Sequence, residues 1–436
     1  MYKTLHITNN DHDGAGLAVI RLHNALLNKG AKSSVLVVTK KNENLNVYQI
    51  GYSKSKKRFF IDLLTLRFLF NITELQDFIF FLKSKIIDKI FKIIYRPTSL
   101  FNFNYETSLY KNIKKYLKDY DVIVLYSIQG MLLPKDIAKI YKEFNKKIIF
   151  RPLDMEPLTG GCHFNFECTG WKDSCISCPQ IGVQSKREIS AKILNEKTNI
   201  YKDIPIHWMA CNSYVNDRIK TSQILSSKHQ VSTLFLGVHP NRYNYINSSG
   251  ARDVLKLPQT KKIILFGCSD LQDKRKGAIL LKQILQKQFS KKDTSNVCLV
   301  TFGETNGFNF DNIDITWIHL GTLTTDYHMN ALYRSADLFV SPSLDDLGPV
   351  TMVEAFVNRL PIISFDVGIA RDIVINDING NIAKNFDLED FGALMKRNVY
   401  SSNKDYIDNP KIQKSYNKFL IDSEASSFLK SLNYVL

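Results

Sequence analysis

Five short apolar runs, rich in β-branched residues and separated by helix-length stretches, mark the first half of the chain. They are KTLHIT (3–8), SSVLVVT (33–39), DVIVLYS (121–127), KKIIFRP (146–152) and IHWMACNS (206–213). Near-continuous apolar strands alternating with helical patterns predict a parallel α/β sheet covered on both faces. The pattern restarts with KKIILFGC (261–268), NVCLVTFG (296–303), ITWIHLG (315–321), ADLFVSPS (336–343) and LPIISFD (360–366), which predicts a second Rossmann-like sheet. Between the two series, residues 237–260 are polar and turn-rich, so the hinge is placed there. The expected organisation is a first domain over 1–240, a second domain over 255–413, and a helix over 414–436 packing back on the first. Two such domains are expected to face each other across a cleft, with ligands at the carboxyl ends of their strands.

Residues 54–97 interrupt the first series with a mostly helical pattern. Leu82, Ile86, Ile90 and Ile93 can share one face while Lys85, Lys89 and Lys92 lie on another, which describes a basic amphipathic helix. No uncharged run there reaches the roughly 20 residues that a membrane-spanning helix needs. The choice is between an element lying on anionic lipid and an ordinary helix packed on the sheet.

A chain of 436 residues exceeds one ordinary core, and with 44% hydrophobic and 23% charged residues it is globular in composition. The formal charge of +16 calls for anionic partners: nucleotide phosphates, acidic lipid headgroups or nucleic acid. The lysines are spread over the whole chain instead of interleaving with aromatics in one module, so nucleic acid is not expected as a partner. The first twenty residues lack the apolar core of a secretory signal. The expected location is the cytoplasm, with a peripheral position on the cytoplasmic face of the membrane as its extension.

Four of the seven cysteines, Cys162, Cys168, Cys175 and Cys178, fall within a loop expected over 158–182, with spacing C-x5-C-x6-C-x2-C. In a chain without a secretory signal, clustered cysteines suggest metal more than disulfides, and four thiolates would close a structural zinc site. An iron–sulfur cluster and free thiols are the alternatives, and His163 is a further candidate ligand. Cys211, Cys268 and Cys298 lie in apolar runs and are expected in the core. Gly14 and Gly16 sit between the first strand and the first helix, where small residues admit a ligand close to the backbone, although a mere tight turn accounts equally for them. Asp11 and Asp13, in that same turn, are expected to hold it and not a metal. Lys274, Arg275 and Lys276 follow a strand of the second series, where cations can neutralise a diphosphate leaving group. Asp346 and Glu354 stand eight positions apart, with Gly348 and Pro349 opening a helix between them; a carboxylate there can accept ribose hydroxyls.

Taken together, GTLTTDYHMNALYRSADLFVSPS (321–343), SPSLDDLGPVTMVEAFVNRLPIISFDVGIARDIVINDINGNIAK (341–384) and the Lys276-Gly277 pair resemble the retaining glycosyltransferases of family 4. LDMEPLTGGCHFNFECTGWKDSCISCPQIG is similar to a cysteine-bearing segment in a polysaccharide-assembly branch of that family. The resemblance implies the GT-B fold, a UDP- or GDP-sugar donor, a glycan or lipid-linked acceptor and no catalytic divalent metal. It implies Lys276 at the donor diphosphate, Glu354 at the ribose, Gly14 and Gly16 closing over the donor, and Asp346 and Glu354 at the two ends of the family's E-x7-E motif; Arg275 is expected to share the leaving-group charge and Asp346 to orient the sugar. Two departures stand out. Leu153 and Glu156 occupy places where the branch carries a His and an aromatic residue. Leu271 occupies the place of the donor-phosphate Arg, leaving Arg275 or Lys274 to substitute. A GT-B epimerase or phosphorylase is the alternative enzyme, and a zinc-bearing nucleic-acid-binding protein the non-catalytic one.

Overall fold

The computed structural model describes residues 2–50, 72–103, 108–239, 247–323, 325–400, 406 and 409–435; the start of the helical insert, 54–71, lies outside them. The chain divides into two compact units. Met1–Cys211, Asn216–Thr233 and Ser427–Leu436 form the first, Asn212–Val215 and Leu234–Ser426 the second.

The first unit is built on a seven-stranded, all-parallel sheet in the order β3-β2-β1-β4-β5-β6-β7. Its strands are β1 (Lys3–Ile7), β2 (Lys32–Val37), β3 (Val47–Gln49), β4 (Val122–Leu125), β5 (Lys147–Phe150), β6 (Ile206–Ala210) and β7 (Gln230–Thr233). The central strands are apolar on both faces: all four residues of β4 are buried, and Phe150 stacks on Trp208 at 5.0 Å between ring centroids. The tail is broken where one helix was expected. A helix over Pro410–Tyr416, a 3₁₀ turn over Asn417–Phe419 and a helix over Ile421–Val435 succeed one another. Phe428, in the part belonging to the first unit, lies 5.7 Å from the His6 ring.

The second unit has a six-stranded parallel sheet in the order β10-β9-β8-β11-β12-β13. Its strands are β8 (Lys262–Asp270), β9 (Val297–Glu304), β10 (Thr316–His319), β11 (Leu338–Ser341), β12 (Ile362–Phe365) and β13 (Gly380–Ala383). Because side chains alternate along a strand, Leu265, Val300 and Phe339 pack with Tyr333 and Phe356 on one face. Ile264, Leu299 and Val340 pack with Leu281, Leu285 and Phe391 on the other. Buried Arg252 ties the helix Ser248–Leu255 to the foot of this sheet, donating to the carbonyls of Ser335, Gln259 and Lys261 and pairing with Asp337 at 2.8 Å.

Both sheets reverse strand order once, between β1 and β4 and between β8 and β11. At such a switch point the loops leaving adjacent strands part, and the crevice outside their carboxyl ends is where open α/β sheets bind ligands. All ten expected strands are present. β3, β7 and β13, which the apolar pattern does not show, are short edge strands; β7 is only half buried and has no need of a continuous apolar run.

Candidate active site

The strongest constellation lies at the switch point of the second unit. After β8 the chain turns through a 3₁₀ turn, Lys274–Lys276, that Asp273 caps by accepting from the Arg275 N–H at 3.0 Å. Gly277 follows with φ +76°, and a Cβ there would stand 2.0 Å from the Pro342 carbonyl oxygen. Only glycine lets the β8 loop press against the β11 loop this closely. The two loops are joined further by the Leu344 N–H donating to the Arg275 carbonyl at 2.7 Å.

This approach brings Lys276 onto Asp346, their side chains forming an ion pair across the two loops. The other Asp346 oxygen accepts from the Gly348 N–H at 3.2 Å, so one carboxylate fixes both the lysine and the turn into the helix Val350–Val357. Gly368 (φ +60°) supports this turn from the β12 side; a Cβ there would meet the Asp346 carbonyl oxygen at 2.6 Å and Pro349 Cδ at 2.9 Å. Arg275 pairs with Asp273 and points a guanidinium N–H toward the Asp345 carbonyl at 3.4 Å. Lys274 is exposed. Leu271, at the expected arginine place, is buried at 1% exposure, so its side chain belongs to the core. Of the two possible substitutes, Arg275 is the one held beside Asp345.

Glu354 lies on the helix Val350–Val357, buried at 5% exposure, and its Oε2 accepts from the Tyr333 hydroxyl at 2.8 Å. Tyr333 comes from the helix Asp326–Ser335 and its ring is part of the core. Sequence reading missed Tyr333 and Gly368, whose contacts with Glu354 and Asp346 reach across 21 and 22 positions, and Asp273, whose capping of its own turn and pairing with Arg275 depend on how the loop folds.

In the first unit, the turn after β1 explains its own residues. Asp13 caps the helix Gly14–Asn28, accepting from the Gly16 N–H at 2.7 Å, and also accepts from Asn10 Nδ2 at 2.6 Å. A Cβ on Gly16 would stand 2.3 Å from the Asn10 carbonyl oxygen, whereas one on Gly14 would meet nothing within 4 Å. Gly16 is therefore required by the turn, and Gly14 borders open space. Asp11 is fully buried, accepting from the Lys41 and Asn42 N–H groups at 2.9 Å each, which makes it a turn-holding residue. His6, bonded to Tyr126 Oη at 2.9 Å, has its pKa lowered first by burial and then by neighbouring positive groups, so the imidazole is neutral.

The cysteine loop follows β5. Cys162, Cys175 and Cys178 are buried, Cys168 half-buried, and all four are free thiols that influence one another electrostatically. Burial pushes the Cys162 and Cys178 thiols up and the Cys175 thiol to about 11, so these are protonated and unreactive near neutral pH. Among the described residues, no group of three or more His, Cys, Asp or Glu side chains is placed to hold a metal ion. The loop is held here by apolar packing: Cys162 and Cys178 join Phe101, Phe103, Ile181 and Ile193 in one cluster. Its glycines serve this packing too. A Cβ on Gly160 would stand 2.2 Å from the Ser190 carbonyl oxygen, and one on Gly161 (φ +117°) 2.2 Å from that of Asn102. Cys268 and Cys298 are buried within β8 and β9, and Cys211 is buried directly after β6, in the core as expected.

Two buried charge pairs lie at the root of this loop. Lys197, on the helix Ile189–Tyr201, pairs with Glu156 at 2.7 Å and donates to the Thr159 carbonyl at 3.1 Å, while Asn102 donates to the same carboxylate at 2.8 Å. The departure at Glu156 thus has a structural partner in Lys197. Asp154 pairs with His163 Nδ1 at 3.0 Å. Burial opposes ionisation of both, but mutual attraction outweighs it, holding Asp154 below and His163 above their usual values.

Removing one member of a buried pair strands the other. Lys197→Ala is expected to destabilise the first unit by roughly 3–5 kcal/mol in urea unfolding, with Glu156→Leu/Lys197→Met recovering part of the loss. For the second pair, stability from Asp154 is present above about pH 3.9 and lost as pH falls through its lower folded value. Stability from His163 is present below about pH 6.5 and lost as pH rises through its higher folded value. His163→Gln should therefore flatten the alkaline limb of stability above about pH 6.5, and an unchanged limb would show the pair to be silent.

Residues 251–409 match the family model described as glycosyl transferases group 1. No curated protein matches the chain. Among solved structures, sucrose-phosphate synthase from Thermosynechococcus elongatus superposes with a TM-score of 0.65 at 12% identity, over 100% of this chain and 99% of that one. HepE from Anabaena, in complex with UDP and glucose, gives 0.64 at 12% identity over 100% of both chains. WaaG, a glycosyltransferase involved in lipopolysaccharide biosynthesis, gives 0.62 at 13% identity over 98% of both. At these identities the solved structures establish a shared fold. The match over 251–409 makes the second unit a group 1 glycosyltransferase domain, the two parallel sheets are those of the GT-B enzymes, and the protein is a glycosyltransferase.

Proposed function

We propose that the protein is a retaining glycosyltransferase that moves a sugar from a UDP- or GDP-sugar to a lipid-linked glycan during cell-surface polysaccharide assembly, at the cytoplasmic face of the membrane. The observation that carries the reading is the Lys276–Asp346 pair at the β8/β11 switch point, with Arg275 beside it and Glu354 one loop further on. That is where an open α/β sheet binds a phosphate-bearing ligand. HepE, which shares the fold, holds UDP and glucose, and this supports a nucleotide-sugar donor.

In this assignment Lys276 and Arg275 neutralise the diphosphate as the glycosidic bond to it breaks. Each is pre-positioned by a carboxylate, Asp346 and Asp273, so little reorganisation is needed when charge develops. Asp346 orients the sugar hydroxyls. Gly348 and Pro349 place the start of the helix Val350–Val357 toward phosphate, and Glu354 accepts from the ribose hydroxyls, its carboxylate aimed by Tyr333. The departing diphosphate oxygen assists deprotonation of the acceptor hydroxyl, and the pair of cations supplies the electrostatic stabilisation such a step requires.

A thermal-shift panel of UDP, GDP and dTDP and their sugars identifies the donor, because a ligand bound to the folded state raises the apparent transition temperature. Stabilisation by UDP or GDP is expected, and indifference to every nucleotide would sink the assignment. Lys276→Ala is expected to lower kcat on the order of 10²- to 10³-fold, the range for losing one preorganised donor. Tyr333→Phe should weaken nucleotide binding roughly tenfold to a hundredfold with kcat less affected, as loss of a hydrogen bond to a charged group implies. Retention is read from the anomeric configuration of the product; an inverted product, or turnover of donor without acceptor, would refute the mechanism.

A further inference from the structure

Among the described side chains of the helix Ile72–Tyr95 there are two apolar faces, one packed and one exposed. Phe91 and Tyr95 stack on each other at 5.5 Å and both lie against Phe103, at 5.2 and 5.1 Å. Through Phe103 this face joins the cluster of Phe101, Cys162, Cys178, Ile181 and Ile193 that anchors the cysteine loop. The other face shows Ile86 (57% exposed), Ile90 (46%), Ile93 (64%) and Ile94 (37%) to solvent. With 3.6 residues per turn these four fall on one stripe, roughly a third of a turn from the packed aromatics. Among the described residues they make up four of the six exposed isoleucines, so the exposure is concentrated instead of scattered.

On the remaining third of the helix surface stand Lys85, Lys89 and Lys92, all exposed, and Lys92 pairs with Asp88 at 2.8 Å. Between residues 83 and 96 there are five basic side chains (Lys83, Lys85, Lys89, Lys92, Arg96) against the single acid Asp88. Among the described residues no helix is long and apolar enough to cross a membrane. An apolar stripe flanked by cations, on a helix pinned along its third side, has the chemistry of a surface that lies in a lipid headgroup layer.

We propose that this helix docks the protein on an anionic phospholipid bilayer, with Ile86, Ile90, Ile93 and Ile94 entering the acyl boundary and Lys85, Lys89 and Lys92 meeting lipid phosphates. A second copy of the chain is the poorer occupant. A two-fold contact through this stripe would bring like-charged lysine rows together, which disfavours association. Phe91 and Tyr95 transmit the docking to the cysteine loop, whose burial they share. The docking is independent of which donor is used.

The test is co-sedimentation of the full chain with vesicles of phosphatidylcholine alone and of phosphatidylcholine with 30% phosphatidylglycerol. Binding to the anionic vesicles only is expected. Lys85→Gln/Lys89→Gln/Lys92→Gln should weaken it on the order of 100-fold, given the usual contribution of each cation near an anionic surface. Ile86→Asn/Ile90→Asn/Ile93→Asn should abolish it, while far-ultraviolet circular dichroism, the thermal transition and nucleotide-induced stabilisation stay unchanged, since the replaced side chains are exposed. Absence of wild-type binding, or undiminished binding by the isoleucine variant, would overturn the proposal. So would a wild-type dimer in gel filtration that the isoleucine variant converts to a monomer, which would assign the stripe to a second copy. Loss of nucleotide stabilisation with vesicle binding intact would count against the donor site alone.

Discussion

The ion pair between Lys276 and Asp346 joins the loops that leave β8 and β11, and the second unit's chemistry is organised around it. Each charge is only partly exposed. Gly277 permits the approach by having no Cβ to collide with Pro342, and Gly368 buttresses the Asp346 turn from the β12 side. The same carboxylate then bonds the Gly348 N–H and sets the entry angle of the helix that carries Glu354. A cation, a carboxylate, a helix start and a buried glutamate are thus fixed by one contact between two adjacent parallel strands.

The first unit solves a different problem with similar means. Its cysteine loop has almost no regular structure, so its backbone must be held by buried polar partners. Lys197 reaches in from a neighbouring helix to serve Glu156 and the Thr159 carbonyl, and Asp154 holds His163. Both pairs consist of residues that are expensive to bury singly and acceptable to bury together. Around them Phe101, Phe103 and the thiols of Cys162 and Cys178 supply the apolar seal, and Phe91 and Tyr95 extend it to the amphipathic helix.

The amphipathic helix shows what pattern alone leaves open. Its periodicity groups Leu82, Ile86, Ile90 and Ile93 as one apolar face, and the ordinary expectation is that such a face covers a core. The structure instead packs the aromatic pair Phe91 and Tyr95 and leaves Ile86, Ile90 and Ile93 in solvent. Spacing cannot say which of two apolar stripes finds a partner, because that depends on the shape of the surface the helix meets. The cysteines make the same point: C-x5-C-x6-C-x2-C puts four thiols on one short loop, but whether they converge on a metal depends on where the loop's backbone turns.

What the sequence determined by itself was the repeating alternation of apolar strands and helices, hence two parallel sheets, and the placement of Lys276, Asp346 and Glu354 just beyond strand ends. These are local properties: strand periodicity, turn chemistry and helix starts are all encoded within a dozen residues. The edge strands β3, β7 and β13 escaped because one-sided pairing leaves little apolar signature. Only the tertiary structure decided that Lys276 and Asp346 meet, that Glu354 is aimed by Tyr333, that Glu156 answers Lys197, and that Gly160 and Gly161 serve packing. Each of these depends on two segments 21 to 70 residues apart arriving within a few ångströms, and that distance is set by how whole elements pack, which no stretch of sequence carries alone.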